Sequence, residues 1–343
     1  MISDRIALFD NTKALLILLV VMGHFARYYT SFSTDMKIMF FYIYIFHMPL
    51  FIFISGLFSK SVINSSGQKL LERVLSFIIL YILLKIFSFS LDKFLFSSNA
   101  NFTLFSEGGF PWYLFATAIW FCITYIFKPI KPQIVIPVAL IIGILVGYDS
   151  RVGDYLVASR ILVYFPFFLL GYYTDVNKFL EFLNKKSLKY FAVIILLLAF
   201  LIVYTQIDYL YQFRPFLTGR HSYISANQEL LGGLYRLVLY LIIVIISLSI
   251  LILMPKQKTF FTFVGTRTLQ IYFLHYLLLK IYHYLNINNY LQAVFPNDWL
   301  KMYIGFSVLL TIFLAMKPLE RPFKKILSLK IDKISIAPLN YRS

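Results

Sequence analysis

The sequence predicts an all-α integral membrane protein, a bundle of about ten transmembrane helices with both termini cytoplasmic. Three observations carry this. Of the 343 residues, 60% are hydrophobic and only 14% charged, with a mean hydropathy of +0.78, whereas a soluble domain carries about a quarter charged residues. A water-facing surface cannot be covered by so few charges, and lipid removes the need for one. The 37 Phe and 26 Tyr suit lipid-facing surfaces and interfacial belts. Finally, apolar stretches recur along the chain, most approaching the roughly 20 residues that cross a bilayer.

In chain order these stretches fall at 14–30, 38–58, 74–91, 112–127, 133–148, 156–173, 189–206, 231–254, 268–285 and 301–316. Arg5 and Lys13 ahead of the first run mimic the start of a signal peptide. No small-x-small cleavage site follows, so this run is expected to stay as the first helix. The cluster Lys128-Pro129-Ile130-Lys131-Pro132 separates the fourth and fifth runs, and the fifth is short and contains Gly143 and Gly147. With the N-terminus inside, 21 of the 32 basic residues fall on the cytoplasmic side, as positive-inside topology requires of an even number of spans. Residues 1–320 then form the ten-helix body and 321–343 a basic cytoplasmic tail. The outer segments 92–111 and 207–230 are long. The second, with Tyr209, Tyr211, Arg214, Arg220 and His221, suits sugar contacts and an interfacial aromatic belt equally. There is no internal repeat.

The net charge of +17 does not point to nucleic acid, because the basic residues punctuate the gaps between apolar runs instead of forming a stripe. The single cysteine, Cys122, excludes an intramolecular disulfide and a Cys-based zinc site. The five histidines lack metal-ligand spacing and no phosphate loop is present, so no metal is expected.

Ionisable groups within a span cost several kcal/mol and are functional candidates by default. Lys13 and His24 are 11 residues apart, which places them on one helix face about 16 Å apart along the axis. His47, in Phe46-His47-Met48-Pro49, falls near mid-membrane on the second helix, where Pro49 removes a backbone hydrogen bond. Two imidazoles on neighbouring helices are placed to face one another. Lys69 and Arg73 lie at the cytoplasmic side, where ordinary positive-inside charge is the simpler reading. Arg160 and Arg236 each lie inside an outer helix end in apolar surroundings, suited to an oxyanion, to an anionic sugar or to snorkelling outward. Glu107 precedes Gly108-Gly109-Phe110-Pro111-Trp112-Tyr113, a carboxylate beside an aromatic platform that suits a sugar ring or is simply a loop acid. His275, in mid-span, is as much a packing residue as a site residue.

The run Phe9-Asp10-Asn11-Thr12-Lys13 to Gly23-His24, followed by Phe46-His47-Met48-Pro49-Leu50 through Ser55-Gly56, resembles the opening of the acyltransferase-3 membrane family. More narrowly it is similar to the branch related to fucose 4-O-acetylases. The family signature, a basic residue, ten intervening residues and a histidine, is matched by Lys13 and His24. The segments Ser159-Arg160 to Leu170-Gly171-Tyr172 and Leu269-Gln270-Ile271-Tyr272-Phe273-Leu274-His275 also look like the family. The family often has Arg where this chain has Lys13, which keeps the charge and loses the bidentate fork. Members without a fused extracytoplasmic hydrolase-like domain are the expected match.

The resemblance implies transfer of acetyl from acetyl-CoA to a hydroxyl of a cell-surface polysaccharide or its lipid-linked precursor. Localisation in a bacterial cytoplasmic membrane is expected, the Lys, Ile, Phe and Tyr bias pointing to an AT-rich bacterial genome. An alcohol attacking a thioester needs a base that works near neutral pH, and histidine is the usual one. His24 is the expected base, with His47 positioning it or sharing the proton. An acetyl-His intermediate at His24 is the alternative. Lys13, Arg73 and Arg160 are the expected cofactor contacts, and Glu107, Trp112 and Arg236 the expected substrate contacts. The rival readings are a transporter or flippase of lipid-linked sugars, and a non-catalytic component of a polysaccharide-assembly complex. The partners expected are a carbohydrate acceptor and membrane lipid.

Overall fold

The computed structural model describes residues 6–95, 102–105, 111–153 and 155–330. It is all-helical, with no strand among the described residues. The helices are α1 (Ala7–Arg27), α2 (Thr34–Ile63), α3 (Gly67–Leu95), α4 (Trp112–Phe127), α5 (Pro132–Leu145) and α6 (Ala158–Tyr173), then the short α7 (Val176–Leu183). They continue with α8 (Ser187–Leu210), α9 (Arg214–Thr218), α10 (Gly232–Leu253), α11 (Thr262–Gly265), α12 (Thr268–Tyr284), α13 (Ile287–Val294), α14 (Trp299–Leu314) and α15 (Glu320–Leu327).

Each of the ten apolar stretches coincides with a helix, but the helices are unequal. By length and composition α1, α2, α3, α8 with its continuation through α9, and α10 can each cross a bilayer. The pair α14 and α15, bent by 66°, qualifies only when taken together. The helices α4 and α5 are apolar but shorter. Among the described residues, five or six helices are thus long and apolar enough to cross a bilayer, where the hydropathy pattern suggested ten crossings. The first two helices also start earlier than the pattern implied, because Asp10, Asn11, Thr12 and Asp35 are helical despite being polar. Lys13 consequently lies nearly two turns inside α1.

The helices are also unequal in burial. The apolar window of α1 is 67% buried and that of α2 72%, against 17% for the α8 span, so α1 and α2 form the centre and α8 the rim. Two hydrophobic clusters flank them. One is built mainly from α2, α4, α5, α6, α8 and α10, the other from α3, α12, α14 and α15, and α1 gives residues to both. Met48, Phe51, Phe77 and Tyr113 pack against both clusters and mark the seam between them.

The segments that carry the family resemblance explain how the centre closes. A Cβ on Gly56 would stand 2.0 Å from the Phe168 carbonyl oxygen, and one on Gly171 would stand 2.0 Å from that of Phe53. Facing glycines thus bring the α2 and α6 backbones into contact, the small-residue packing that apolar surroundings favour. The Trp120 indole N–H donates to the Ile161 carbonyl at 3.0 Å and ties α4 to α6. At the Lys13 end of α1, the Asn11 amide donates to the Pro255 and Gln257 carbonyls at 2.9 and 2.8 Å. Its oxygen accepts from the Thr259 and Thr262 hydroxyls at 3.0 and 2.6 Å. The polar start of α1 is therefore a socket for the chain that links α10 to α12.

Candidate functional site

His24 and Lys13 open into two different cavities along one side of α1. The first, about 140 Å³, is lined by His24, His47, Trp112 and Arg160, among others. The second, about 260 Å³, is lined by Lys13, Arg73, Ser55, Tyr113 and apolar side chains. Val20, Met48 and Tyr272 line both. Val20 lies between Lys13 and His24 in sequence, so the two cavities are stacked along α1 with these three side chains as the wall between them.

In the His24 cavity the imidazole is surrounded by rings. His275 of α12 lies beside it, with ring centroids 5.3 Å apart, and Tyr276 at 5.8 Å. His47 packs edge-on against Tyr44 at 4.6 Å. His24 thus has an imidazole neighbour from α12, and His47, the histidine expected beside it, lines the same cavity from α2. Both His47 and His275 place Nδ1 2.8 Å from the carbonyl four residues back, Ile43 and Ile271. A carbonyl can only accept, so in the neutral ring Nδ1 carries the proton and Nε2 the lone pair. Both histidines are almost fully buried, and these bonds fix their orientation.

Arg160 enters from α6, its guanidinium 5.2 Å from the centroid of Trp112. Trp112 in turn stacks on Tyr164 at 5.5 Å. The turn before α6 holds Leu156 and Val157 at φ of +50° and +59°, a left-handed conformation that costs about 1–3 kcal/mol in a non-glycine residue. That turn sets the point at which Arg160 enters the bundle. Arg27 and Arg214 also line this cavity, together with Arg220 and His221 from the segment after α9. Among the described residues, no carboxylate lines it.

The sequence-predicted residues separate as follows. His24, His47, Trp112 and Arg160 come together; Arg160, expected with the cofactor residues, lies on the histidine side of the wall. Lys13 and Arg73 share the other cavity. Lys13 does not face that cavity as an uncompensated charge, because its ammonium lies 2.8 Å from the Asp10 carboxylate. Ser55 and Tyr113 join their hydroxyls there at 2.6 Å.

Arg236 lines neither cavity. It is 2% exposed, donates to the Phe216 carbonyl at 2.6 Å and lies against the Phe216 and Tyr223 rings. The contact expected with substrate is thus a contact with the backbone of α9. Glu107 lies outside the described residues. The sequence reading placed His221 in a long outer segment without giving it a site role, and left His275 undecided; the family-like segment ending in His275 was the available clue.

The family model of an acyltransferase domain, Acyl_transf_3, matches residues 6–316. No curated protein and no solved structure matches the chain. The matched span runs from the residue before α1 past the end of α14 and takes in all of the first cavity's lining and all of the second's but Leu327, so the chain belongs to the acyltransferase-3 family and is a membrane acyltransferase.

Proposed function

We propose that this protein transfers acetyl from cytoplasmic acetyl-CoA to a hydroxyl of a surface carbohydrate or its lipid-linked precursor, in a bacterial cytoplasmic membrane. The observation that carries the reading is the pair of stacked cavities on one face of α1. The thioester enters from the Lys13 and Arg73 side. The acceptor enters from the His24 side, where arginines and aromatic rings suit a polar, ring-shaped molecule. Lys13 and His24 are about 16 Å apart along the helix, comparable to a pantetheine arm, so the arm spans the wall of Val20, Met48 and Tyr272.

In the transfer, the acceptor oxygen forms a bond to the acetyl carbonyl carbon and the carbon–sulfur bond breaks. The hydroxyl proton passes to His24 and then to the departing CoA thiolate. Arg160, held against Trp112, faces the space where charge develops on the carbonyl oxygen. His47 and His275 hold the ring environment of His24. If acetyl first resides on His24, the same residues serve both half-reactions. Accumulation of acetylated protein with acetyl-CoA and no acceptor separates the two routes.

The test is genetic and chemical together. The gene is deleted in its host and surface polysaccharide is assayed for ester-linked acetyl by proton NMR, with complementation by wild type or His24→Ala at matched expression. Ester that disappears, returns with wild type and stays absent with His24→Ala is the expected result. Restoration by His24→Ala removes the role given to His24. Unchanged acetylation with impaired polymer export replaces the reading with a transport function.

A further inference from the structure

A third feature lies outside both cavities: an apolar groove of about 560 Å³ between α2, α8 and α10. Its walls include Phe41, Ala199, Ile202, Val238 and Ile242, and nearly all of its surface is apolar. Its end is formed by α9, and that helix has two chemically different sides. Phe213, Phe216 and Leu217 line the groove, whereas Arg214, Leu217 and Thr218 line the His24 cavity. Leu217 belongs to both, so the groove and the cavity meet at a single side chain.

This junction is fixed in place by buried donors. Arg236 donates to the Phe216 carbonyl at 2.6 Å, Tyr164 to that of Leu217 at 2.8 Å and Ser159 to that of Gly219 at 2.9 Å. Gly219 ends α9 at φ +60°, the left-handed cap that glycine accepts at least cost. Such anchoring makes α9 a rigid partition. At the partition Arg214 brings positive charge, and Arg27, from the end of α1, lines the same cavity; both are exposed. The arrangement, an apolar groove followed by arginines followed by a histidine-containing cavity, matches a molecule with a long apolar tail, a phosphate and a sugar in that order.

Resting on the acetyl-transfer reading, we infer that the acceptor is a polyisoprenyl phosphate- or diphosphate-linked glycan. Its tail lies in the α2–α8–α10 groove, its phosphate meets Arg214 and Arg27, and its sugar reaches His24. The tail already lies in lipid, so seating it in the groove contributes only where the groove packs it better than bulk lipid does. The phosphate contacts therefore supply direction and the groove supplies register. An ordinary phospholipid fits the groove and the arginines, but it has no sugar to present to His24.

The experiment uses the purified full chain in nanodiscs with acetyl-labelled acetyl-CoA. Two acceptor probes come from the deletion host: the lipid-linked glycan fraction extracted with chloroform–methanol, and the same glycan freed from its lipid by mild acid. Wild type is expected to label the lipid-linked probe at least about tenfold faster than the freed glycan, a difference of about 1.4 kcal/mol. Filling the groove with Ala199→Trp, or separately with Ile242→Trp, is expected to lower lipid-linked labelling by about tenfold or more. The same variants are expected to bind CoA within a few-fold of wild type by calorimetry, which shows that they fold and handle the donor. Arg214→Gln is expected to act as the groove variants do. Equal labelling of both probes, or groove variants that label like wild type, overturns the lipid-linked acceptor and leaves acetyl transfer standing. The second of these outcomes identifies the groove as a seat for bulk phospholipid. Failure of wild type to consume acetyl-CoA with either probe overturns the acetyl-transfer reading itself.

Discussion

The two cavities that share Val20, Met48 and Tyr272 are built from opposite materials. Around His24 the walls are arginines, histidines and aromatic rings, supplied by α1, α2, α4, α6, α12 and the segment around α9. Around Lys13 the walls are mostly aliphatic and aromatic, and the lysine is already partnered by Asp10. Polar side chains that must be oriented for chemistry need support from many elements. A channel for a flexible arm with two amides and a terminal thioester needs mostly apolar walls, a few hydroxyls such as Ser55 and Tyr113, and a polar entrance. Under the proposed function, bond making belongs to the first cavity and donor passage to the second, and that division can be broken at several points.

The largest effect is expected at His24. His24→Ala is expected to lower acetyl transfer by about 10²- to 10⁴-fold, the range for loss of a positioned general base, with an unchanged melting temperature in detergent. A loss of similar size in His275→Ala, with His47→Ala weaker, would place the α1–α12 ring pair at the centre of the chemistry. The reverse order would return that role to α2.

A smaller but still large effect is expected at the wall. Met48→Trp replaces a flexible side chain by a rigid bicycle between the cavities and is expected to slow transfer by about 100-fold, as misplacement of reacting groups by about 1 Å does. Binding of CoA, followed by calorimetry, is expected to stay within a few-fold of wild type. Equal loss of both would mean that Met48 shapes the donor site itself and that no passage lies there.

Lys13 sharpens the comparison in a different quantity. Removing one partner of a buried ion pair leaves the other charge unsatisfied, and since Lys13 is 23% exposed at its side chain the cost is discounted to about 2 kcal/mol. Lys13→Met is expected to lower thermal stability accordingly, and Lys13→Met combined with Asp10→Asn to recover most of it. If the double variant is stable yet still binds acetyl-CoA weakly, Lys13 contacts the donor beyond its structural pairing.

The sequence made these regions legible to different degrees. The common face of Lys13 and His24 follows from spacing within one helix, and local periodicity survives folding. The small glycines of the α2–α6 crossing were visible as parts of family-like segments, though not as partners. What the sequence could not show was which helices meet. His275 joins His24 across 251 positions of chain, and Arg160 finds Trp112 between separate helices. Arg236 was read as a substrate contact because it lies inside an outer helix end in apolar surroundings, and the sequence does not reveal that it donates to the Phe216 carbonyl. The expected ten crossings rested on hydropathy, which counts α6 and α12 by composition, whereas their 16 and 17 residues and their many buried side chains show only in the fold.

The smallest effect is expected at Arg73, and it decides what the entrance to the Lys13 cavity reads. Arg73 is partly exposed, so one phosphate contact there is expected to contribute under about 1 kcal/mol, roughly two- to fivefold in KM for acetyl-CoA. A truncated donor, acetyl-pantetheine, carries the arm and the thioester without the nucleotide phosphates. Wild type is expected to favour acetyl-CoA over this donor, and Arg73→Gln to narrow the preference by the same two- to fivefold while its rate with acetyl-pantetheine is unchanged. If Arg73→Gln slows both donors equally, Arg73 supports the fold of α3 and the phosphates are held elsewhere. In that case the Lys13 cavity accepts the arm on shape alone, and the apolar walls that distinguish it from the His24 cavity are its whole means of recognition.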